Sequence, residues 1–204
     1  MSSYIYIEGG ASGPNSKNLT IRCQQAFRNL MERMGITAGR PRLVACGGRV
    51  SVYERFCIAH KAAGGGYVAM WIDSEEPMVD VEKAWNHLAE VTTVAAWEKP
   101  EGAEDDQVLL MTTCMETWIV ADRKALQAHY GKKLRENTLP SVSQLEGKDR
   151  HDVQDLLERA TQDCRNSYAK GKRSFDVLEQ LDPATLKQHL PSFVRVDRIL
   201  KVKL

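Results

Sequence analysis

The sequence predicts an α/β fold: a mostly parallel sheet covered by helices, followed by a helical C-terminal annex. Three observations carry that expectation. Short runs of β-branched and aromatic residues stop abruptly at glycine or acidic turns. Stretches with apolar residues at helical spacing stand between those runs. Near residue 130 the alternation ceases, and only helical patterns follow. Alternating strands and helices make right-handed crossovers into a parallel sheet the economical topology. With 204 residues and 43% hydrophobic content the chain can bury a real core. The expected division is residues 1–130 for the α/β domain and 131–204 for an extension packed on it.

Residues 4–7, Tyr-Ile-Tyr-Ile, read as a first buried strand that ends at Glu8-Gly9-Gly10. After a polar loop over 11–17, Leu19, Cys23, Ala26, Phe27, Leu30, Met31 and Met34 recur at helical spacing, and Gly35 supplies a stop. Residues 42–46 read as a second buried strand, and 50–63 as a second helix ended by three glycines. The clearest strand is 67–72, stopping at Asp73-Ser74-Glu75-Glu76-Pro77. A helix over 81–88 follows, then a segment, 92–97, that fits either a short strand or irregular structure. The acidic run 98–106 reads as an exposed loop. A last strand is expected over 107–113, and one apolar helix over 115–126. In the annex, 139–147 is loop-like, 149–169 fits one amphipathic helix, and 174–181 and 183–189 fit two short ones.

Lys and Arg total 28 against 27 Asp and Glu, a formal net charge of +1, so any surface for a polyanion must be a local patch. Five scattered cysteines lack the paired spacing of a zinc site or disulfide framework and read as buried thiols of a reducing cytoplasm. Neither a signal-peptide pattern nor an apolar run long enough to span a bilayer is apparent, so a cytoplasmic protein is expected.

In an open parallel sheet, ligands gather outside the carboxyl ends of the strands, where loops and helix N-termini converge. Acidic residues stand at three such ends: Glu8, the pair Asp73 and Glu75, and Glu116. Asp73 and Glu75 project alike if the chain stays extended, and an adjacent strand brings Glu8 close. Carboxylates so close repel one another unless a divalent cation neutralises them. Hard oxygen ligands with no His or Cys nearby suit Mg2+, with Mn2+ as a substitute, rather than zinc. Each signal also has an ordinary explanation. An acidic residue after a strand is common turn chemistry, and Glu116 suits the first turn of any helix. Residues 10–17 lack the Gly-Lys-Ser/Thr ending of a phosphate loop, which speaks against nucleotide hydrolysis within this chain. Trp71 and Trp118 adjoin the acidic residues but are expected to be packing residues.

Glu8-Gly9-Gly10 after a first strand, with Asp73-Ser74-Glu75 after a hydrophobic third strand, resembles the TOPRIM domain of topoisomerases, DnaG-type primases and overcoming-lysogenization-defect nucleases. That likeness covers roughly residues 4–120. A likeness running nearly end to end adds the segments 115–122, Met-Glu-Thr-Trp-Ile-Val-Ala-Asp, and 170–174, Lys-Gly-Lys-Arg-Ser. On these the chain resembles a family of small stand-alone bacterial TOPRIM-like proteins known only as a domain of unknown function. The resemblance implies a TOPRIM-like (Rossmann-like) fold and a partner ATPase of AAA or ABC type in antiviral defence. The usual Asp-x-Asp appears here as Asp73-Ser74-Glu75, whose longer second side chain still reaches a metal.

What the resemblance implies chemically is metal-dependent cleavage of nucleic acid, DNA ahead of RNA. Glu8, Asp73, Glu75 and Glu116 would be both catalytic and metal-binding, with Glu8 as general acid or base or a further ligand. Phosphate contacts are expected from Arg49, at a helix start, and from Lys170, Lys172 and Arg173, although a basic cluster is often only a solvated helix end. Two alternatives stand beside it: a non-catalytic regulatory or binding subunit of an ATPase complex, and a phosphotransferase or phosphatase on a small phosphorylated metabolite. An oligomeric state is compatible with each.

Overall fold

The computed structural model describes residues 3–10, 16–62 and 64–204. Most of the expected 11–17 loop, and the end of the second expected helix at 63, lie outside them. Four strands, β1 (Tyr4–Ile7), β2 (Arg42–Ala45), β3 (Val68–Asp73) and β4 (Val108–Met111), form one sheet in the order β2-β1-β3-β4. Every neighbouring pair is parallel, so all four carboxyl ends face the same rim. The helices are α1 (Ser16–Arg33), α2 (Arg49–Ala62), α3 (Ala84–Glu90), α4 (Met115–Ala121), α5 (Arg123–Tyr130), α6 (Arg150–Thr161), α7 (Lys172–Leu178), α8 (Pro183–His189) and α9 (Pro191–Lys203). This is the expected α/β architecture with a Rossmann-like parallel sheet.

Strand periodicity divides the core into two layers of unequal depth. Ile5, Ile7, Ala69, Trp71, Leu109 and Met111 face α1 and the helices from α4 onward. Alternate residues, Val68, Met70, Ile72, Val108 and Leu110, face α2 and α3. The thicker layer is threaded by a chain of aromatic contacts: Phe27 to Trp71 at 4.8 Å, Trp71 to Trp118 at 6.1 Å, and Trp118 to Phe193 at 4.8 Å. Trp71 and Trp118 are fully buried, as packing residues should be. Because Phe193 belongs to α9, the extension shares the core of the sheet.

The order of strands fixes where a crevice must open. From β1 the chain crosses through α1 to β2 on one side; from β3 it crosses through α3 to β4 on the other. α1 packs on one face of the sheet and α3 on the opposite face. The segments leaving β1 and β3 therefore diverge, which makes their carboxyl ends the topological switch point.

Several elements differ from expectation for identifiable reasons. β2 is an edge strand with only Leu43 of its four residues buried. The expected helix over 115–126 breaks because buried Asp122 caps α5, accepting the Ala125 N–H at 3.0 Å and the Asp182 N–H at 2.8 Å. Residues 92–97 take the irregular of the two forms expected of them. The acidic 98–106 loop is partly structural: Asp105 accepts the Trp85 N–H at 2.8 Å, near the start of α3. α6 stops at Thr161 rather than running to 169, and its Oγ1 accepts the Tyr168 N–H at 2.8 Å, folding the following loop back. α9, not anticipated, lies along β4, where Arg195 donates to the Val108 carbonyl at 2.7 Å. Of the five cysteines, Cys23, Cys114 and Cys164 are buried, while Cys46 and Cys57 are half-buried. Among the described residues no helix is long and apolar enough to cross a membrane.

Two measurements follow from this packing. Phe193→Ala should destabilise the whole chain by about 3–5 kcal/mol in a single urea transition; a separate transition for the extension would contradict the shared core. Glu146 holds the start of α9, accepting the Ser192 N–H at 3.1 Å, and burial pushes its carboxyl pKa up to about 7. Its folded pKa exceeds the unfolded value, so this contribution is full at low pH and is lost as pH rises through about 7. Glu146→Gln should gain in Tm relative to the native protein between about pH 5 and about pH 8. A constant difference would show that this group does not titrate as its burial demands.

Candidate functional site

Two glycines shape the mouth of the switch-point crevice. Gly9 has φ 134°, and a Cβ there would stand 2.9 Å from Cys23 Sγ and 3.2 Å from the Phe175 ring. Gly10, φ 83°, presses as closely on Thr20. Gly9 and Gly47 exchange backbone hydrogen bonds of 2.9 and 2.8 Å, tying the loop after β1 to that after β2. The Glu8 side chain is thereby turned toward β3.

There Glu8, Asp73 and Glu116 line one cavity of about 150 Å3, joined by Lys170 and Gly171 from the loop before α7. Glu8 Oε2 accepts the Asp73 N–H at 3.2 Å. Asp73 Oδ1 accepts the Met115 N–H at 2.9 Å, at the start of α4. Glu116 is fully buried; one oxygen accepts from the Tyr168 hydroxyl and the other from Gln154 Nε2 at 3.2 Å. Its orientation is thus fixed by two side chains of the extension.

The electrostatics are those of crowded buried acids. Burial lifts the Asp73 pKa well above the carboxylate range, and the Glu8 and Glu116 charges lift it further, against Lys170 and the Met115 N–H. Burial also raises Glu8, against the Asp73 N–H, Arg49, Lys170 and Arg150. Tyr168 is raised by burial and then by Glu116, which keeps it a protonated donor.

Glu75 does not join this group. The chain stops being extended at Asp73: Ser74 and Glu75 donate to the carbonyls of Met111 and Thr113 at 3.0 and 2.9 Å, and Glu75 takes φ 72°. The left-handed residue swings its carboxylate into a second cavity, where it pairs with Arg150. Arg49 is buried, donating from Nη1 to the Asp73 carbonyl at 2.9 Å, and also lines that second cavity. Arg173 is held by the Ser167 carbonyl, so its guanidinium steadies its own loop and does not line the acidic cavity. The Lys172 side chain lies outside the described residues.

Among the described residues, no group of three His, Cys, Asp or Glu side chains stands ready to hold a metal ion. The expected nest of four carboxylates is three acids around one cavity with Glu75 outside it. In chemistry the donor set nevertheless fits a hard cation. It consists of oxygen only, is buried at Asp73 and Glu116 and half-buried at Glu8, and is answered by one exposed lysine and a backbone-bound arginine. Tyr168, Gln154 and Arg150 were not singled out in the sequence. Only the adjacent Lys170 cluster pointed toward Tyr168, and nothing pointed to the other two.

Fold and site together define a doubly wound α/β protein with a buried carboxylate cluster at its switch point. The chain belongs to the family described as a domain of unknown function (DUF4276), which matches residues 15–197. No curated protein and no solved structure matches it.

Asp73→Asn keeps an acceptor for the Met115 N–H and removes a crowded charge, so it should raise Tm at about pH 8 in EDTA. Magnesium should raise the Tm of the native chain, as a ligand of the folded state does, and leave that of the variant unmoved. Equal magnesium responses would place any cation elsewhere.

Proposed function

We propose that this chain is a TOPRIM-like nuclease that hydrolyses nucleic-acid phosphodiesters with the help of magnesium, for which manganese can substitute. The observation that carries the reading is the meeting of Glu8, Asp73 and Glu116 around one cavity at the switch point of a parallel sheet. Asp73 and Glu8, with Glu116 behind them, would hold the ion. When bound, magnesium supplies Lewis-acid activation of the phosphate and a water of lowered pKa.

The chain's own residues divide the remaining work. Tyr168 and Gln154 hold Glu116 in one orientation, so its charge faces the cavity without a choice of rotamer. Lys170, exposed at the cavity mouth, offers a cation to a phosphate oxygen of the substrate. Glu8, whose pKa is raised by burial, is suited to take up or give back a proton at the cavity. Within this reading DNA is the preferred substrate. An AAA or ABC ATPase in a defence system is the proposed partner, and the cytoplasm the proposed compartment; both rest on the resemblance to stand-alone TOPRIM-like proteins.

A second reading is favoured by one observation: the carboxylates are not gathered into a metal-ready group. On it, the chain is a non-catalytic subunit that keeps the cavity for binding.

Purified chain with plasmid DNA, and separately RNA, in magnesium or manganese tests the first reading. Cleavage should appear with metal, vanish in EDTA, and fall by at least about a hundredfold in Asp73→Ala, beyond what loss of an outer-shell partner causes. Absence of cleavage with every metal, alone and with a partner ATPase, would favour the second reading. Equal cleavage by Asp73→Ala would sink the proposed site.

A further inference from the structure

A second cavity, of about 370 Å3, opens at the N-terminus of α2 and shares no lining residue with the acidic one. Gly48, Arg49, Ser51, Glu75, Trp97 and Arg150 are among its walls. α2 is 14 residues long, and its first internal bond runs from the Val52 N–H to the Gly48 carbonyl at 3.3 Å. The amides of Arg49, Val50 and Ser51 thus have no partner within the helix and carry its positive end.

Arg49 provides a separate indication of a ligand. It is only 8% exposed, yet Nε and Nη2 have no hydrogen-bond partner among the described residues. Its Nη1 is spent on the Asp73 carbonyl, and no carboxylate lies within ion-pair distance of it among those residues. A buried guanidinium with unmade bonds is costly unless something supplies acceptors.

The wall opposite narrows the chemistry. Trp97 is stacked by Tyr53 at 4.5 Å and 9°, while the Arg49 guanidinium sits 4.2 Å over its ring. Two groups at those distances cannot share one face, so neither face is free for a nucleobase. Two guanidinium groups stand against one carboxylate, Glu75, whose charge Arg150 already answers. What the cavity has left to offer is N–H donors and a positive field.

We propose that this cavity is a phosphate-binding site, with the oxyanion held by the α2 amides, the free Nε–H and Nη2–H of Arg49, and Arg150. The phosphate is that of a nucleic-acid backbone or of a free phosphorylated small molecule. Occupancy does not depend on hydrolysis at the acidic cavity, although Arg49 joins the two through the Asp73 carbonyl.

Calorimetric titration of the full chain in EDTA tests this without any metal-dependent step. Inorganic phosphate should bind saturably, and Arg49→Gln should weaken it by about tenfold or more, as expected for charge-assisted hydrogen bonds. Glu75→Gln removes the competing carboxylate and should tighten binding severalfold, a gain that misfolding cannot imitate. A short oligodeoxynucleotide without terminal phosphates identifies the source. Displacement of phosphate by it, weakened in Arg49→Gln, assigns the site to nucleic acid; saturable phosphate binding without displacement assigns it to a small molecule. No saturable binding by the native chain, or unchanged affinity in both variants, overturns the proposal. Failure of the nuclease assay leaves it standing, since binding is read in EDTA.

Discussion

Asp73 ties together three segments of the chain. Its N–H reaches Glu8 after β1, its side chain takes the Met115 N–H at the start of α4, and its carbonyl holds Arg49 at the start of α2. The residue ends β3, buried on both faces of the sheet, so these bonds form where water cannot replace them. A carboxylate there is expensive to keep charged, and its neighbours add to that cost. The surrounding structure reads as a response to that constraint: donors from the backbone, an arginine fixed at a distance, a lysine at the mouth.

The extension takes part in that response. Tyr168 and Gln154 occupy both oxygens of Glu116, and Lys170 with Gly171 close the cavity. Arg150, at the start of α6, draws Glu75 away to the other side. A boundary near residue 130 thus separates two sequence patterns but runs through one site. The packing agrees, because Phe193 of α9 completes the aromatic chain that begins at Phe27 of α1.

How far the sequence disclosed this depends on the range of the interactions. The strands were legible because buried parallel strands are continuous apolar runs with abrupt ends, as in 4–7 and 67–72. That Glu8 and Asp73 meet was also legible, since adjacent parallel strands bring their ends together. Glu75 was misplaced because period-2 reasoning assumes an extended chain, and one left-handed residue reverses the side chain. The break at Asp122 was hidden because its cap partners include Asp182, sixty positions away. Likewise, Gln154 and Tyr168 become recognisable only once α6 and the loop after it fold over α4.

The turn at Ser74 and Glu75 divides the rim into two electrostatic halves. On one side lie three acids with a single lysine; on the other, two arginines and a helix N-terminus with a single acid. Neither half is neutral by itself, and each lowers the cost of the other, because Arg49 favours charged Glu8 and Asp73 and is favoured by them in turn. A cation entering the acidic half would weaken the hold of those acids on Arg49 and leave its free N–H groups more in need of an anion. An anion bound at Arg49 would in turn raise the demand for positive charge beside Asp73. Such coupling is reciprocal by thermodynamic necessity. On the proposed reading, a ligand that carries phosphate and metal together would therefore be favoured over either alone, and a phosphate ester bound with its counterion meets that description.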